Sequence, residues 1–218
     1  MTGAIVVGAG PGVGASVARR FARERMPIGL IARRTETLEA TVETMTGLTE
    51  HVVAAVGDAS SEAGLQAALD DVVREVGLPD VLVYNSARIQ EDRVGELSAA
   101  QHLDAWAVNV VGALTSAAHI LPRMAERGHG TMILTGGMPT PLPGTVSLSL
   151  GKAGLRALTQ ILATQFGPSG VHVATVTIHG PVAPRTAFDP DDIAEHYWRL
   201  HAQPRKGWQR EVDYTGTV

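Results

Sequence analysis

AIVVGAGPGVG, at residues 4–14, decides the fold of this chain. Residues 4–7 have the apolar, β-branched composition of a strand, and an Ala- and Arg-rich stretch of helical character follows the glycines. Such glycines permit a tight turn and let a pyrophosphate approach the amides at a helix N-terminus, where the dipole favours anions. An ordinary turn between strand and helix is the alternative. The predicted dinucleotide contacts are Gly8, Gly12, Val13 and Gly14.

Apolar runs of strand length alternate with longer segments of helical periodicity along the rest of the chain. This alternation predicts a parallel, doubly wound α/β sheet of the Rossmann type, with about seven strands and helices on both faces. We expect a single domain over residues 1–218. Strands are predicted near 4–7, 27–32, 51–56, 80–84, 130–135, 171–178 and 209–214, and helices near 12–24, 35–46, 60–76, 98–126, 145–166 and 190–201.

The amino-acid composition of the chain excludes several classes of function. The chain has 218 residues, of which 44% are hydrophobic and 18% charged, so it can bury a large core. Its net charge of −4 argues against a nucleic-acid surface, which needs clustered positive charge. The lack of cysteine excludes disulfides and thiolate chemistry and fits a cytoplasmic protein. The histidines are scattered without metal-ligand spacing, so no metal is expected.

Two features bear on membranes. The N-terminus enters the first strand without the charged and apolar regions of a signal peptide. The longest apolar stretch, about Leu103 to Leu121, carries Asp104, Asn109 and His119, and is interpreted as a buried helix. We therefore expect no membrane partner.

The end of the second strand bears on the choice of dinucleotide. An acid there would accept the ribose hydroxyls and repel a 2′-phosphate, but the strand ends in Arg33 and Arg34. Arginine suits a phosphate because its planar fork donates in pairs and keeps its charge. Two solvated surface arginines are the alternative. The sequence favours NADP(H) over NAD(H).

At this point the chain resembles the short-chain dehydrogenase/reductase family over nearly all its length. The glycine turn matches, although Val7 stands where a Thr is usual, and Asp58 matches the acid that contacts adenine. Tyr84-Asn85-Ser86-Ala87 takes the place of Asn-Asn-Ala-Gly, which makes Asn85 a candidate cofactor contact. Asn109 matches the helix asparagine of the catalytic tetrad. Its alternative is an amide satisfied inside a kinked helix.

The resemblance fails at two of the four catalytic positions. In the family a Ser fixes the substrate oxygen, a Tyr transfers its proton, and a Lys one turn later lowers the Tyr pKa and holds the nicotinamide ribose. Lys152 is present, but Leu148 precedes it by four residues on the same helix face. Leucine has no proton to transfer. Gly137 takes the place of the serine, and the nearby hydroxyl of Thr135 could simply end the fifth strand.

An atypical branch of the family, in which an apolar residue replaces the tyrosine while the lysine stays, resembles the chain more closely. The similarity extends to the C-terminal segments 189–198, 203–205 and 208–211. It implies fold and cofactor better than it implies a reaction.

Other residues could replace the missing tyrosine. Ser149, three residues before Lys152, lies closer to the lysine's face than Ser147, but a serine hydroxyl is a poor acid. His179 follows the sixth strand, where the family places a Pro-Gly pair near the nicotinamide, and an imidazole can titrate near neutrality. A loop histidine bonded to backbone is the alternative.

The resemblance also bears on substrate and assembly. Met138, Leu142 and Leu148 would form an apolar pocket that prefers a hydrophobic small molecule. Tyr197, Trp198 or Leu200 would join it if one faced the cleft, although such residues usually bury a helix against the sheet. The family pairs through its long fourth and fifth helices, so 98–126 and 145–166 imply a homodimer or homotetramer.

The sequence leaves three functions open. The first is an NADP(H)-dependent oxidoreductase with an incomplete tetrad, such as a reductase of a small hydrophobic carbonyl or enone, with Lys152, Asn109 and His179 as catalytic candidates. The second is a non-catalytic NADP(H)-binding partner or sensor. The third is a lyase or isomerase on the same scaffold.

Overall fold

All seven expected strands form, and they pair in parallel in one sheet of order β3-β2-β1-β4-β5-β6-β7. The computed structural model describes residues 3–217. The strands are β1 (Ala4–Val7), β2 (Ile28–Ala32), β3 (Val52–Val56), β4 (Val81–Tyr84), β5 (Gly130–Gly137), β6 (Val171–Ile178) and β7 (Glu211–Tyr214). The strand order reverses between β1 and β4, which is where open α/β sheets bind their ligands. The predicted fold class is confirmed.

Helices cover both faces of the sheet, as predicted. They are α1 (Val13–Arg23), α2 (Thr35–Glu43), α3 (Glu62–Val76), α4 (Ala99–Trp106), α5 (Gly112–Arg127), α6 (Val146–Phe166) and α7 (Pro190–His201). One hydrophobic cluster joins α1 and α7 to the sheet, and a second joins α3, α5 and α6 to the opposite face. The strands β1, β4 and β6 are buried on both faces, which explains the unbroken apolar sequences of β1 and β4. β6 also buries His172, Thr175 and Thr177. α2 ends three residues before its predicted end.

The predicted helix over 98–126 is interrupted by a π-helical turn over Ala107–Val111, which separates α4 from α5. There the Gly112 N–H bonds the Ala107 carbonyl, five residues back. The Tyr84 hydroxyl donates to the Val108 carbonyl. Gly112 leaves room for that phenol, because a Cβ on it would lie 2.3 Å from the Tyr84 oxygen. The sequence pattern of the helix does not indicate that a tyrosine on β4 binds one of its carbonyls.

The helical run Ala99–Arg127 is long and apolar enough to cross a membrane, with a mean hydropathy of 1.3 in its most apolar window. However, 56% of that window is buried inside the fold, as in the core helix of a protein that does not enter a membrane. Its buried side chains, which include Ala113, Ala117 and Ile120, pack in the hydrophobic cluster on the α3 face of the sheet.

Candidate functional site

Two adjoining clefts lie along the carboxyl edge of the sheet. The first cleft, about 780 Å³, lies at the ends of β1, β2, β3 and β4. The second cleft, about 770 Å³, lies at the ends of β5 and β6 and the start of α6. Pro11, Asn85 and Ala87 line both clefts, so the two form one elongated site.

The glycine turn between β1 and α1 forms the inner wall of this site. Gly8 and Gly12 have φ values of 89° and 92°, a left-handed backbone that favours glycine. Gly12 is the N-cap of α1 and offers no side-chain acceptor to the first helical N–H groups. Gly8 lines the first cleft, and Gly12 and Val13 line the second. The helix start is therefore suited to an anion.

Gly14 serves the turn differently from the other glycines. It does not line either cleft in the described part of the chain. A Cβ at this position would lie 2.2 Å from the Gly8 carbonyl oxygen and 2.9 Å from the Asn85 amide nitrogen. The Asn85 amide in turn donates to the Gly8 carbonyl at 2.9 Å. Gly14 thus allows close packing of α1 against the turn.

Basic and acidic side chains meet at the outer end of the first cleft. Arg33 and Arg34 are exposed there, at the end of β2. Asp58 lines the same cleft and accepts hydrogen bonds from the Ser60 backbone N–H and hydroxyl, each at 2.8 Å. The Ser60 N–H, followed by its hydroxyl and the charge of Arg33, lowers the pKa of the Asp58 carboxyl despite the opposing effect of burial.

Five further polar residues line the first cleft and were not predicted as site residues, namely Thr37, Ser60, Ser86, Arg88 and Asp104. Arg88 follows the Tyr84-Asn85-Ser86-Ala87 segment directly, so its closeness to the end of β4 was a usable signal. Thr37 lies in the first turn of α2, and only the pairing of β1 with β2 brings that turn to the cleft.

Lys152 and Leu148 lie together in the second cleft, one helical turn apart on α6, and both are largely buried. The Lys152 ammonium donates to the Thr135 carbonyl at 2.7 Å. Burial lowers the pKa of Lys152 to about 8, because the charged form loses hydration. Leu148 presents only hydrocarbon at this point of the cleft. The wall next to the lysine therefore lacks a hydroxyl at that position.

Gly137, at the end of β5, also provides no hydroxyl at its position, although Thr135 and Thr140 line the same cleft. A Cβ there would lie 3.6 Å from the Ile178 carbonyl oxygen and 3.8 Å from Lys152 Cε, which is ordinary contact. The Arg156 guanidinium donates to the Gly137 carbonyl at 2.9 Å and fixes the strand end. Met138 follows with a left-handed backbone (φ 48°) and lines the cleft. The site has space for a serine side chain.

Asn109 lies in the π-helical turn and is fully buried. Its side-chain oxygen accepts the Arg88 backbone N–H at 2.7 Å, and its amide donates to the Arg88 carbonyl at 3.4 Å. It is absent from the described lining of both clefts. It packs beside the lysine's neighbour, since a Cβ on Gly151 would lie 2.6 Å from Asn109 Cβ. The structure thus gives Asn109 the satisfied-amide environment that was the alternative to a catalytic role.

The two serines before Lys152 are occupied elsewhere. The Ser149 hydroxyl accepts the Leu142 backbone N–H at 3.1 Å, which steadies the loop before α6. The Ser147 hydroxyl donates to the buried Asp92 carboxylate at 2.8 Å, and the Ser147 N–H donates to the same carboxylate. Asp92 therefore caps α6 from a distant loop. Ser149 is not among the described residues lining the second cleft, and its hydroxyl is engaged with the loop at Leu142.

His179 lies at the outer edge of the second cleft, directly after β6. Its backbone N–H donates to the Tyr214 carbonyl at 3.0 Å, and its Nε2 lies 2.7 Å from Asp213 Oδ1. The His179 ring thus contacts a carboxylate. The alternative to a catalytic role was a loop histidine whose ring bonds to backbone.

The apolar wall of the second cleft contains Met138, Leu142 and Leu148, together with residues that were not foreseen, namely Ile89, Ile178 and Val182. Tyr197, Trp198 and Leu200 on α7 pack in or against the core on the α1 face instead. The Tyr197 hydroxyl lies 2.7 Å from the Thr135 hydroxyl and is fully buried. Tyr197 is not among the described residues that line the second cleft.

The site meets the requirements of a dinucleotide. Its two halves join end to end, its glycine turn presents an uncapped helix start, and a lysine lies at the far end. Arg33 and Asp58 offer polar partners for an adenosine at the near end. Among residues 3–217, no group of three or more His, Asp or Glu side chains is placed to hold a metal ion.

Residues 2–189 match the model of the short chain dehydrogenase family. A fatty acyl-CoA reductase of Mycobacterium tuberculosis is 27% identical over 85% of this chain and 66% of its own length. Glucose 1-dehydrogenase 2 of Bacillus subtilis is 27% identical over 94% of this chain and 81% of its own. The short-chain reductase protein NovJ of Streptomyces niveus is 28% identical over 97% of this chain and 84% of its own length.

Solved structures agree with the fold. A short-chain dehydrogenase from Rhodopseudomonas palustris is 25% identical, with a TM-score of 0.88 over 98% of both chains. A metagenomic short-chain oxidoreductase in complex with NADP is 24% identical, with a TM-score of 0.91 over 100% of this chain and 98% of the other.

Proposed function

Because the chain belongs to the short-chain dehydrogenase family, we propose that it is an NADP(H)-dependent oxidoreductase acting on a small hydrophobic carbonyl or enone. The observation that carries the proposal is the continuous site that runs from the glycine turn to Lys152. The cofactor, when bound, supplies a hydride to the substrate. The chain's own residues bind the two molecules, orient them and manage the proton.

NADP(H) is favoured by charge at the adenosine end. Arg33 and Arg34 are exposed at the end of β2, without the acid that would repel a 2′-phosphate. One of the matching folds is described in complex with NADP. At the other end, Lys152 would hold the nicotinamide ribose. Asn109 would support the lysine indirectly, by fixing the loop at Arg88.

We expect NADPH to bind at least tenfold more tightly than NADH, a difference of roughly 1.4 kcal/mol that one charge-assisted phosphate contact can supply. Calorimetric titration of both cofactors measures it. Arg33→Ala should remove most of the preference, whereas Arg123→Ala, which removes an exposed arginine outside the clefts, should leave it unchanged. Equal affinities for the two cofactors would refute the choice of NADP(H).

The apolar lining supports a hydrophobic substrate. Ile89 is 77% exposed and Leu142 is 53% exposed, although both border the second cleft. Covering such side chains with an apolar ligand removes hydrocarbon from water and is favourable. A carbonyl compound with apolar substituents fits this lining better than a sugar does.

A non-catalytic NADP(H)-binding protein is the second candidate. It is favoured by the lack of a hydroxyl at Leu148 and Gly137, where the family carries its tyrosine and serine. Both candidates require NADPH binding, and turnover separates them. Oxidation of NADPH in the presence of acetophenone, cyclohexanone or benzil, followed by absorbance, supports the enzyme, and binding without turnover supports the second candidate.

Self-association is part of the proposal. Several large apolar side chains are exposed on α4, α5 and α6, the helices expected to pair: Leu103, Trp106, Leu114, Leu150 and Ile161. We expect light scattering at micromolar concentration to give the mass of a dimer or tetramer. Leu150→Glu should reduce it towards the monomer. Val56→Glu is the matched control, because Val56 and Leu150 are each 57% exposed. A monomeric wild type would contradict the expectation.

A further inference from the structure

His179 and Asp213 form an ion-pair-competent dyad at the edge of the second cleft. The two side chains meet through Nε2 and Oδ1 at 2.7 Å, across the parallel pair β6 and β7. The His179 main chain is fixed as well, by its bond to the Tyr214 carbonyl. The His179 side chain remains 29% exposed. The imidazole is therefore held in place, partly exposed, in a residue that lines the second cleft.

The carboxylate determines which ring nitrogen carries the hydrogen. An ionised carboxylate only accepts, so His179 Nε2 must donate to Asp213. Nδ1 is then the nitrogen that gains and loses a proton: it is a base in the neutral ring and an acid in the imidazolium. This is the division of labour that general acid–base catalysis requires.

We propose that His179 is the catalytic proton donor and acceptor of this site, and that Asp213 is its positioning residue. The proposal rests on the oxidoreductase function proposed above. Reduction of a ketone adds a hydride to the carbonyl carbon and a proton to the carbonyl oxygen. The hydride carries both electrons and would come from bound NADPH. That proton leaves Nδ1 of the His179 imidazolium, so the product is the alcohol and the ring ends neutral, with Nε2–H still on Asp213.

The composition of the cleft supports this assignment. Among the described residues that line it, Lys152 and His179 are the two with a side-chain nitrogen that gains and loses a proton. Lys152 donates to the Thr135 carbonyl and occupies the ribose-holding position. Leu148 has no proton, and the Ser149 hydroxyl is engaged with Leu142. The Thr135 hydroxyl pairs with Tyr197, and Thr140 offers only a weakly acidic hydroxyl. His179 therefore remains as the group that can serve the substrate oxygen.

The dyad is tested first by nitrogen NMR of the full chain labelled at histidine, a readout independent of turnover. The His179 signal, assigned by its loss in His179→Gln, should show the Nε2–H tautomer. Asp213→Ala should abolish that preference, and Asp213→Asn should retain it, because its amide oxygen still accepts. Glu211→Gln is the matched control, since Glu211 lies on the same strand but pairs with Thr177. An Nδ1–H tautomer in the wild type would overturn the dyad.

Catalysis is tested with NADPH and acetophenone, cyclohexanone or benzil. His179→Gln should lower kcat/KM by about 10² to 10⁴-fold, the usual contribution of general acid–base catalysis, with NADPH affinity unchanged. Asp213→Ala should lower kcat more than it changes KM, and Glu211→Gln should alter neither. Turnover by His179→Gln within threefold of the wild type overturns the proposal.

Two other outcomes separate this proposal from the function on which it rests. NADPH binding without turnover by the wild type overturns the proton-transfer role and favours the non-catalytic protein. Failure to bind NADPH in calorimetry overturns the oxidoreductase itself, and the catalytic dyad with it.

Discussion

Leu148→Tyr, introduced into the His179→Gln variant, is expected to restore NADPH-dependent ketone reduction by about 10² to 10⁴-fold over that parent. The phenol would stand one turn before Lys152, in the same cleft. The lysine's positive charge favours the ionised phenol and so lowers its pKa. The proton would then come from position 148, where the family carries its tyrosine, because the proposed native donor, His179, is absent from this variant.

Gly137→Ser should raise the restored rate further. The serine Cβ would lie in ordinary contact with its neighbours, 3.8 Å from Lys152 Cε, so its hydroxyl can enter the cleft without displacing the lysine. Such a hydroxyl would bind the substrate oxygen as charge develops on it.

The main risk in this experiment is overpacking at position 148, which typically costs about 1 to 3 kcal/mol. Leu148→Phe is the matched control, because it fills the same space without a hydroxyl. NADPH affinity and thermal unfolding must be measured for both variants. Restoration by phenylalanine as well as tyrosine would show that cleft volume, and not a proton donor, limits the parent. No restoration by a tyrosine variant that still binds NADPH would contradict the position assigned to Leu148.

Gly14→Ala is expected to lower the melting temperature by about 2 to 12 °C and to abolish tight NADPH binding. The added Cβ would lie 2.2 Å from the Gly8 carbonyl, and a backbone atom has little freedom to move. Strain of about 1 to 3 kcal/mol lowers Tm by about 2 to 4 °C per kcal/mol in a chain of this size. The turn and α1 would have to separate.

Gly10→Ala is the control from the same turn. A Cβ there would have its nearest neighbour, a methyl of Thr37, at 4.0 Å, and its φ is not left-handed. Its melting temperature without cofactor should stay within about 2 °C of the wild type. If the two variants unfold at the same temperature in calorimetry, close packing at Gly14 is not what stabilises the turn.

The sheet and its order of elements could be predicted because strands such as β1 and β4 are buried on both faces and carry unbroken apolar sequences. The glycine turn has an equally local cause, since its backbone angles require glycine at 8 and 12. The arginines at the end of β2 were visible as well, because the strand itself places them. Features set by one strand or one turn can be inferred from sequence.

Features that depend on distant partners could not be inferred. The π-helical turn is completed by Tyr84, 24 residues before the carbonyl it binds. Ser149 was judged from helix periodicity, which places residues on a face but does not reveal a hydrogen bond to a loop. Asp213 was predicted only as part of a strand near 209–214. Neither segment's sequence indicates the β6–β7 pairing that brings Asp213 to His179.

The capping of α6 by Asp92 bears on how the chain is made. During translation Asp92 is synthesised well before its partner Ser147, which lies 55 residues later in the chain. Burying a carboxylate without its donors is costly, so Asp92 stays hydrated until the first turn of α6 has been synthesised. By then β1, β2 and β4 have already emerged, and domains generally begin to fold from the N-terminal side during translation. The first cleft can therefore begin to form on the nascent chain, while the segment at Asp92 takes its final place only with α6.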